Sequence, residues 1–312
     1  MAKPLEYNAT LIERVDLTSA LTIFKIRPDD GYQGDGPWFV PGQYVTLGMN
    51  NEAQPDLGSV RRAMSIVSAP EETEQMEFYI RYVNYPESDN PLTHLMWKGK
   101  AGDRLYLRNR PTGRFTVAHA IGDDDPRLKL CVAAGTGLAP FVSMVRSRQL
   151  REPGSDLSDF AILHGASYPA DLGYADELDG YKKFGLKYFK TVSRPDEAPD
   201  WDGDKGRVEA YFEGDRLGEL EERLGLGAGG LTPASTAILI CGLTGTISKT
   251  LMALLHRGFV PEPRRLRRVL EVPEDAKASL FFEQYDNTPV VPVDNEEVMS
   301  DLKAQLRAAL GG

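Results

Sequence analysis

Sulfur ligands are what this chain has least of. Two cysteines, Cys131 and Cys241, stand among 312 residues, too few to hold a four-thiolate iron–sulfur cluster within one chain. Each lies inside an apolar run, which predicts two buried free thiols in a reducing compartment rather than a disulfide. Histidine is almost as sparse, with 4 residues. No second His, Cys or carboxylate stands at metal-binding spacing from His94, so no metal site is expected. Positive charge is outnumbered, 36 Lys and Arg against 46 Asp and Glu, for a formal net charge of −10. That balance argues against general nucleic-acid binding. No apolar stretch is long enough to span a bilayer. The opening MAKPLEYNATLIERV lacks the charged-then-apolar order of a targeting signal. The expectation is a cytoplasmic chain without membrane or nucleic-acid partners.

What the chain does have is apolar content, 41%, enough for two cores at ~150 residues per domain. Residues 5 to 120 read as short strands. Thr10–Val15 and Leu21–Ile26 alternate apolar and polar positions, and further strands are expected after the turn in Phe39–Leu47, at Met76–Val83 and at Arg104–Leu107. A polar loop containing Asp29, Asp30, Gly31, Gly34, Asp35, Gly36 and Pro37 interrupts them. Many short strands with no helices between them predict an antiparallel Greek-key β-barrel. From Leu128 the pattern changes to strands alternating with helical stretches. Strands are expected at Leu128–Ala134, Asp159–Gly165, Leu186–Ser193 and Thr236–Cys241, with helical stretches at Ala175–Phe184, from Val208 to Gly214, and over 247–257. That alternation predicts an α/β domain with a parallel sheet, which binds ligands at the carboxyl ends of its strands. The expected division is 1–122, 123–286 and a C-terminal extension, 287–312. The extension starts with a linker, Asn287 to Pro292, and continues as a helix with Val298, Leu302, Leu306 and Leu310 at one-turn spacing; packing on the chain's own surface is the first reading and a partner contact the second, and the sequence does not decide between them.

Three stretches look chemical. Leu128–Ser143, LKLCVAAGTGLAPFVS, reads as buried strand, small-residue turn and helix N-terminus, with Pro140 in the first turn. Backbone N–H groups and a helix dipole then converge on one spot that suits a pyrophosphate. It is not G-x-G-x-x-G, because Pro140 stands where the third glycine would be. In Arg61–Pro70 an arginine is followed three residues later by a serine on an extended segment, which suits a phosphate held by a bidentate guanidinium; a surface Arg-Arg beside an edge strand is the alternative. Asn90–Leu95 opens a short helix whose first turn can offer N–H groups to another phosphate.

In order, Arg62-x-x-Ser65-x-x-Ser68-x-Pro70, Gly135-Thr136-Gly137-x-Ala139-Pro140 and Cys241-Gly242 resemble the ferredoxin–NADP reductase family. His164-Gly165-Ala166-Ser167-Tyr168-x-Ala170-Asp171-Leu172-x-Tyr174 and Val192-Ser193-Arg194 resemble its bacterial ferredoxin/flavodoxin reductase branch. Pro41-Gly42-Gln43-Tyr44 and Pro111-x-Gly113-x-Phe115 also fit, and the likeness covers about residues 5 to 286. It implies a six-stranded FAD barrel followed by an NADP(H) domain. It implies that Arg62, with Ala63 and Met64, holds the FAD pyrophosphate side, that Ser65 lies near flavin N5, and that Phe78, Tyr79 and Ile80 run beside the flavin. Thr93 would cap the phosphates, and Gly135, Thr136 and Gly137 would meet the nicotinamide nucleotide. Cys241 would lie by nicotinamide C4 with Tyr285 covering it and Glu283 as a proton or charge partner. Arg194 and Arg207 would grip the 2′-phosphate of NADP. The chain departs from the family pattern at Met64, usually Tyr, at Ser167, commonly Arg, and at Asp286, where an aromatic residue usually ends the chain.

The resemblance implies an FAD enzyme moving electrons between NADP(H) and ferredoxin or flavodoxin. Those carriers are usually acidic, and Arg264, Arg265, Arg267 and Arg268 form a basic cluster suited to docking one; a solvated basic turn is the competing reading. The alternatives are a reductase component dedicated to one oxygenase or biosynthetic enzyme, and a nucleotide-binding regulatory module without turnover.

Overall fold

A computed structural model describes residues 4–32, 35–285 and 288–311. Gly34 of the polar loop, Asp286 and the first residue of the expected linker, Asn287, lie outside the described residues. The chain forms two compact units. One runs to Val117 and takes in Ala139–Ser155; the other comprises Ala118–Leu138 and everything from Asp156.

The first unit is a six-stranded antiparallel barrel. Its strands are β1 (Ala9–Thr18), β2 (Leu21–Pro28), β3 (Tyr44–Asn50), β4 (Ser59–Ser65), β5 (Met76–Arg81) and β6 (Arg104–Thr112), with helix α1 (Leu92–Met96); the short helix α2 (Val117–Ala120) falls where the chain passes into the second unit. The order β4-β3-β6-β1-β2-β5 puts the last strand between the first and third, the Greek-key signature anticipated from the strand pattern. Alternation does the folding: Phe24, Ile26, Leu47, Phe78 and Leu107 turn inward and are fully buried. β6 runs five residues beyond the expected Leu107, to Thr112, because it continues to pair with β3 as far as Tyr44↔Thr112.

Helix α3 (Ala139–Arg151) follows the small-residue turn in sequence, yet it packs in the first unit. Ser143 Oγ donates to the Ser68 carbonyl at 2.7 Å. Arg146 lies between Glu77 at 3.3 Å and Glu72 at 3.5 Å, and Phe141 meets Phe115 edge-on at 5.8 Å. Gly42 sits under the helix, where a Cβ would lie 2.9 Å from Met144 Cε.

The second unit is a parallel sheet of β7 (Leu128–Ala134), β8 (Phe160–Ala166), β9 (Lys187–Val192), β10 (Asp204–Lys205), β11 (Thr236–Gly242) and β12 (Leu280–Gln284), in the order β10-β9-β8-β7-β11-β12. Around it lie α4 (Ala175–Tyr181), α5 (Asp215–Arg223), α6 (Thr244–Leu255), α7 (Arg264–Val269) and α8 (Glu296–Gly311). The central strands are buried on both faces and read as unbroken apolar runs. Strand order reverses between β7 and β11, a switch point where such sheets leave a crevice beyond their carboxyl ends.

Two elements differ from expectation for local reasons. Val208–Phe212 is a 3-10 turn, and the α-helix begins only at Asp215, because Gly214 takes φ 52° and breaks the run. In the extension, Leu302 and Leu306 are buried as expected, but Met299 replaces Val298, which is exposed, and Leu310 is only partly buried. Asn295 fixes that phase by accepting the Val298 N–H with its side chain at 3.1 Å, which starts the helix at Glu296. Val290, Val291, Met299, Leu302 and Leu306 thereby complete the core on which α6 packs.

One core residue titrates. His164 is fully buried in β8, with Nδ1 2.9 Å from Tyr188 Oη and Nε2 without a partner among the described residues. Burial, with the positive charge of Lys190 nearby, pushes its pKa down to about 3. Unfolded histidine protonates near 6.5, so the unfolded state gains protons first as pH falls. Stability is full above that value and declines below it by up to ~1.4 kcal/mol per pH unit. Urea unfolding followed from pH 7.5 to pH 5 checks this: His164→Gln should flatten the acid-side decline, and an unchanged slope would show that His164 does not carry it.

Candidate functional site

The switch point is built from backbone. β7 ends at Ala134, and Gly135 to Leu138 make a single 3-10 turn, with Gly135 at φ 56°. Gly137 passes so close to β11 that a Cβ there would stand 2.7 Å from the Gly242 nitrogen and nearer still to the Cys241 carbonyl. Gly242 closes the contact from the other side: its Cβ would fall 2.9 Å from Ala134 Cβ, and its φ of 149° favours glycine. The ends of β7 and β11 are thus interlocked through glycine. The result is a cradle in which backbone can approach a ligand, the geometry that a pyrophosphate-bearing nucleotide requires. Thr136, half-buried, sits at its lip.

Beside the cradle lies the one thiol with chemistry near it. Cys241 is fully buried and pairs in register with Glu283 of β12. Its Sγ lies 3.1 Å from Tyr285 Oη, a hydrogen bond in which either group can donate. Burial raises the thiol's pKa well above its ordinary value; the negative charge of Glu283 adds to this, and only the Tyr285 hydrogen bond opposes it. Cys241 is therefore a neutral S–H, unsuited to nucleophilic work and suited to packing and weak hydrogen bonding. Tyr285 is half exposed, at 50%, and stands over a fully buried thiol.

Further along the sheet, Arg194 and Arg207 follow the ends of β9 and β10, strands paired as Lys205↔Val192. Gly206, at φ 108°, donates its N–H to the Val192 carbonyl at 2.7 Å and so turns Arg207 toward the same end as Arg194. Both arginines are exposed. Arg207 has no side-chain partner among the described residues, whereas Arg194 donates to Tyr168 Oη at 2.6 Å. Tyr168 is not among the residues expected at the site, although it lies in the His164–Tyr174 stretch that resembles the bacterial branch.

In the barrel unit, β4 is an edge strand. Arg61, Arg62 and Ala63 are exposed on it, and Met64 and Ser65 are half-buried. Arg62 donates to the neighbouring Arg61 carbonyl at 2.8 Å, which leaves the rest of its guanidinium fork for an anion. Met64 packs against the margin of the barrel core. Phe78 and Ile80 direct their side chains into that core, so of this run only the Tyr79 side chain alternates to the other face. Thr93 is buried, and its hydroxyl accepts the Val83 N–H at 3.4 Å; its own N–H, in the first turn of α1, has no intrahelical carbonyl to meet. His94 stacks on Tyr82 at 4.4 Å and bonds the Val83 carbonyl at 2.8 Å, a structural role. No group of three or more metal-ligating side chains exists among the described residues. An arginine-bearing edge strand suits the anionic half of FAD, and the glycine cradle suits a nicotinamide nucleotide.

The chain is similar to known proteins. The oxidoreductase NAD-binding domain family matches residues 131–250. Ferredoxin–NADP reductase B of Sorangium cellulosum is 32% identical over 234 residues, which cover 73% of this chain and 82% of that protein. Methane monooxygenase component C of Methylosinus trichosporium is 36% identical, but over only 45% of this chain and 36% of its own length. The crystal structure of a ferredoxin NADP+ reductase from Neisseria gonorrhoeae with bound FAD and NADP superposes with a TM-score of 0.68 at 21% identity, covering 89% of this chain and 98% of that one.

The cradle yields a paired prediction. Gly137→Ala should destabilise the chain by about 1–3 kcal/mol through overpacking against β11 and weaken nicotinamide-nucleotide binding. Gly218→Ala, in α5 with open space around its Cβ position, should stabilise by ~0.5–1 kcal/mol. Denaturant midpoints of the two variants measure this, and equal effects would mean that the approach at Gly137 is not tight.

Proposed function

The chain belongs to the ferredoxin–NADP reductase family, and on that premise we infer that it is an FAD-dependent oxidoreductase moving electrons between NADP(H) and a small electron carrier, ferredoxin or flavodoxin. The observation that carries this reading is the Gly137–Gly242 interlock at the sheet's switch point, present in a chain 32% identical to a ferredoxin–NADP reductase over 73% of its length. A reductase dedicated to an oxygenase has less support, because the methane monooxygenase component matches less than half of this chain.

Bound FAD supplies the exchange between two-electron and one-electron chemistry, and the protein supplies position and charge. Arg62 on the exposed edge of β4 answers a pyrophosphate with a planar fork of donors. The Thr93 N–H adds a backbone donor, and Ser65 on the same strand as Arg62 offers a hydroxyl toward the flavin's reactive edge. In the sheet unit, the cradle of Gly135, Thr136 and Gly137 takes the nicotinamide nucleotide. Cys241, held neutral, gives the nicotinamide an uncharged, polarisable floor, and Tyr285 covers it until it is displaced. Glu283 beside Cys241 places negative charge where a proton or a cationic ring is handled. Arg194 and Arg207 meet the 2′-phosphate, a dianion that calls for more than one cation.

For the carrier we infer a docking surface on α7, narrower than the sequence pattern suggested. Arg264, Arg265 and Arg268 are exposed and have no partners among the described residues. Arg267 is occupied: it donates to the carbonyls of Pro273 at 3.0 Å and Ala276 at 2.7 Å, clamping its own turn. Three free guanidiniums in a chain of net charge −10 would steer an acidic carrier, and salt would weaken the attraction.

Anaerobic titration of the FAD-loaded protein tests the activity. NADPH should bleach the flavin stoichiometrically, with NADH needing much higher concentration, and a flavin that neither reduces would contradict the function. Reversing Arg264, Arg265 and Arg268 to glutamate should slow carrier reduction about tenfold or more at low salt and leave reduction of a small dye intact. Equal loss of both would refute the docking surface.

A further inference from the structure

Arg194 is the start of a chain of contacts. Its Nη1 donates to Tyr168 Oη at 2.6 Å, and its guanidinium carbon lies 5.4 Å from the centre of the Tyr168 ring. Tyr168 Oη in turn donates to a carboxylate oxygen of Glu197 at 3.0 Å. Local backbone holds the three together. The Arg194 N–H donates to the Ser167 carbonyl at 3.1 Å, which ties the two loops side by side. The 3-10 turn Pro195–Glu197, closed by the Glu197 N–H on the Arg194 carbonyl at 3.3 Å, brings the acid back beside the arginine. Asp171 places a second negative charge in the field of Arg194. Arg207, by contrast, has no acidic partner among the described residues.

A carboxylate is an odd neighbour for an arginine that meets phosphate. The Tyr168 hydroxyl has one proton, which is spent on Glu197, so it cannot also be donated to an incoming anion. The carboxylate also stands two short hydrogen bonds from the guanidinium, close enough to repel a dianion bound there. A ribose hydroxyl carries no charge and is spared that repulsion.

We propose that Glu197 is a specificity-determining residue of this subsite, a carboxylate that lowers the preference for a 2′-phosphate over a 2′-hydroxyl. The inference rests on the reading of Arg194 as the residue that meets the 2′-phosphate. It assigns opposite effects to two residues joined through one tyrosine: Arg194 favours the phosphorylated nucleotide and Glu197 restrains that preference.

Calorimetric binding of 2′,5′-ADP and of 5′-AMP to the FAD-loaded full chain tests the proposal without turnover. Glu197→Gln keeps an acceptor for Tyr168 and removes the charge. It should raise the 2′,5′-ADP to 5′-AMP affinity ratio about 3- to 10-fold at low salt, less at high salt, and leave 5′-AMP binding within about twofold. Arg194→Ala should cut the same ratio. If Glu197→Gln leaves the ratio unchanged or lowers it while Arg194→Ala cuts it, the role of Glu197 is overturned and the subsite stands. If Arg194→Ala does not change the ratio, the subsite reading itself fails.

Discussion

The approach of Gly137 to the end of β11 is the contact on which the sheet's chemistry depends. β7 and β11 pair in parallel as far as Cys241↔Ala133, and at such a switch point the connections that leave the two strands ordinarily run apart. Here the turn after β7 lies against the Cys241–Gly242 peptide with no side chain between, and Gly242 returns the same closeness toward Ala134. Any Cβ at either place would separate the strand ends and push outward the backbone groups proposed to meet the nucleotide. The same register that sets Gly242 beside Gln284 sets Cys241 beside Glu283 and brings Tyr285 over the thiol. The close approach at Gly137 and the β11–β12 register together place the backbone turn and the Cys241–Tyr285 pair at the same end of the sheet.

Each unit supports its half of the reaction with different physics. The barrel offers an edge strand, β4, whose exposed Arg62 spends one donor on the Arg61 carbonyl and keeps the rest of its guanidinium fork. Its helix α3 is held by buried serines and by Arg146 lying between two glutamates. The sheet unit relies on apolar burial, with β7 and β11 nearly inaccessible along their whole length. Its extension is structural: Met299, Leu302 and Leu306 together bury apolar area worth roughly 1.5–3 kcal/mol each, and Lys303 and Arg307 pair with Glu271 at 2.8 and 3.0 Å.

Much of this was legible because it is local. Period-2 alternation announced the barrel strands, and the short apolar run capped by Gly-Thr-Gly announced the switch-point turn. Cys241-Gly242 could be placed near Gly135 only through the rule that parallel strands present their carboxyl ends on one side, and the structure agrees. What stayed hidden depends on distant partners or on one-residue phase. No pattern within 139–151 reveals that Ser143 and Arg146 answer Ser68, Glu72 and Glu77 some 70 residues earlier. Arg267 looks like its three neighbours until the carbonyls of Pro273 and Ala276 occupy it. Val298 fits a helical stripe as well as Met299 does, and only the Asn295 cap decides between them. Glu197 reaches Tyr168 across 29 residues and matches no motif.

The central claim is that the glycine-built end of β7 and β11 receives the nicotinamide nucleotide. Backbone amide resonances of the FAD-loaded protein, followed while NADP+ is added, test it most directly. The account predicts that the amides of Gly135 to Leu138 and Gly242 to Thr244 shift together with those of Arg194 and Arg207, and saturate at one common concentration. Shifts that leave Gly135 to Leu138 and Gly242 in place while moving other parts of the sheet would contradict it.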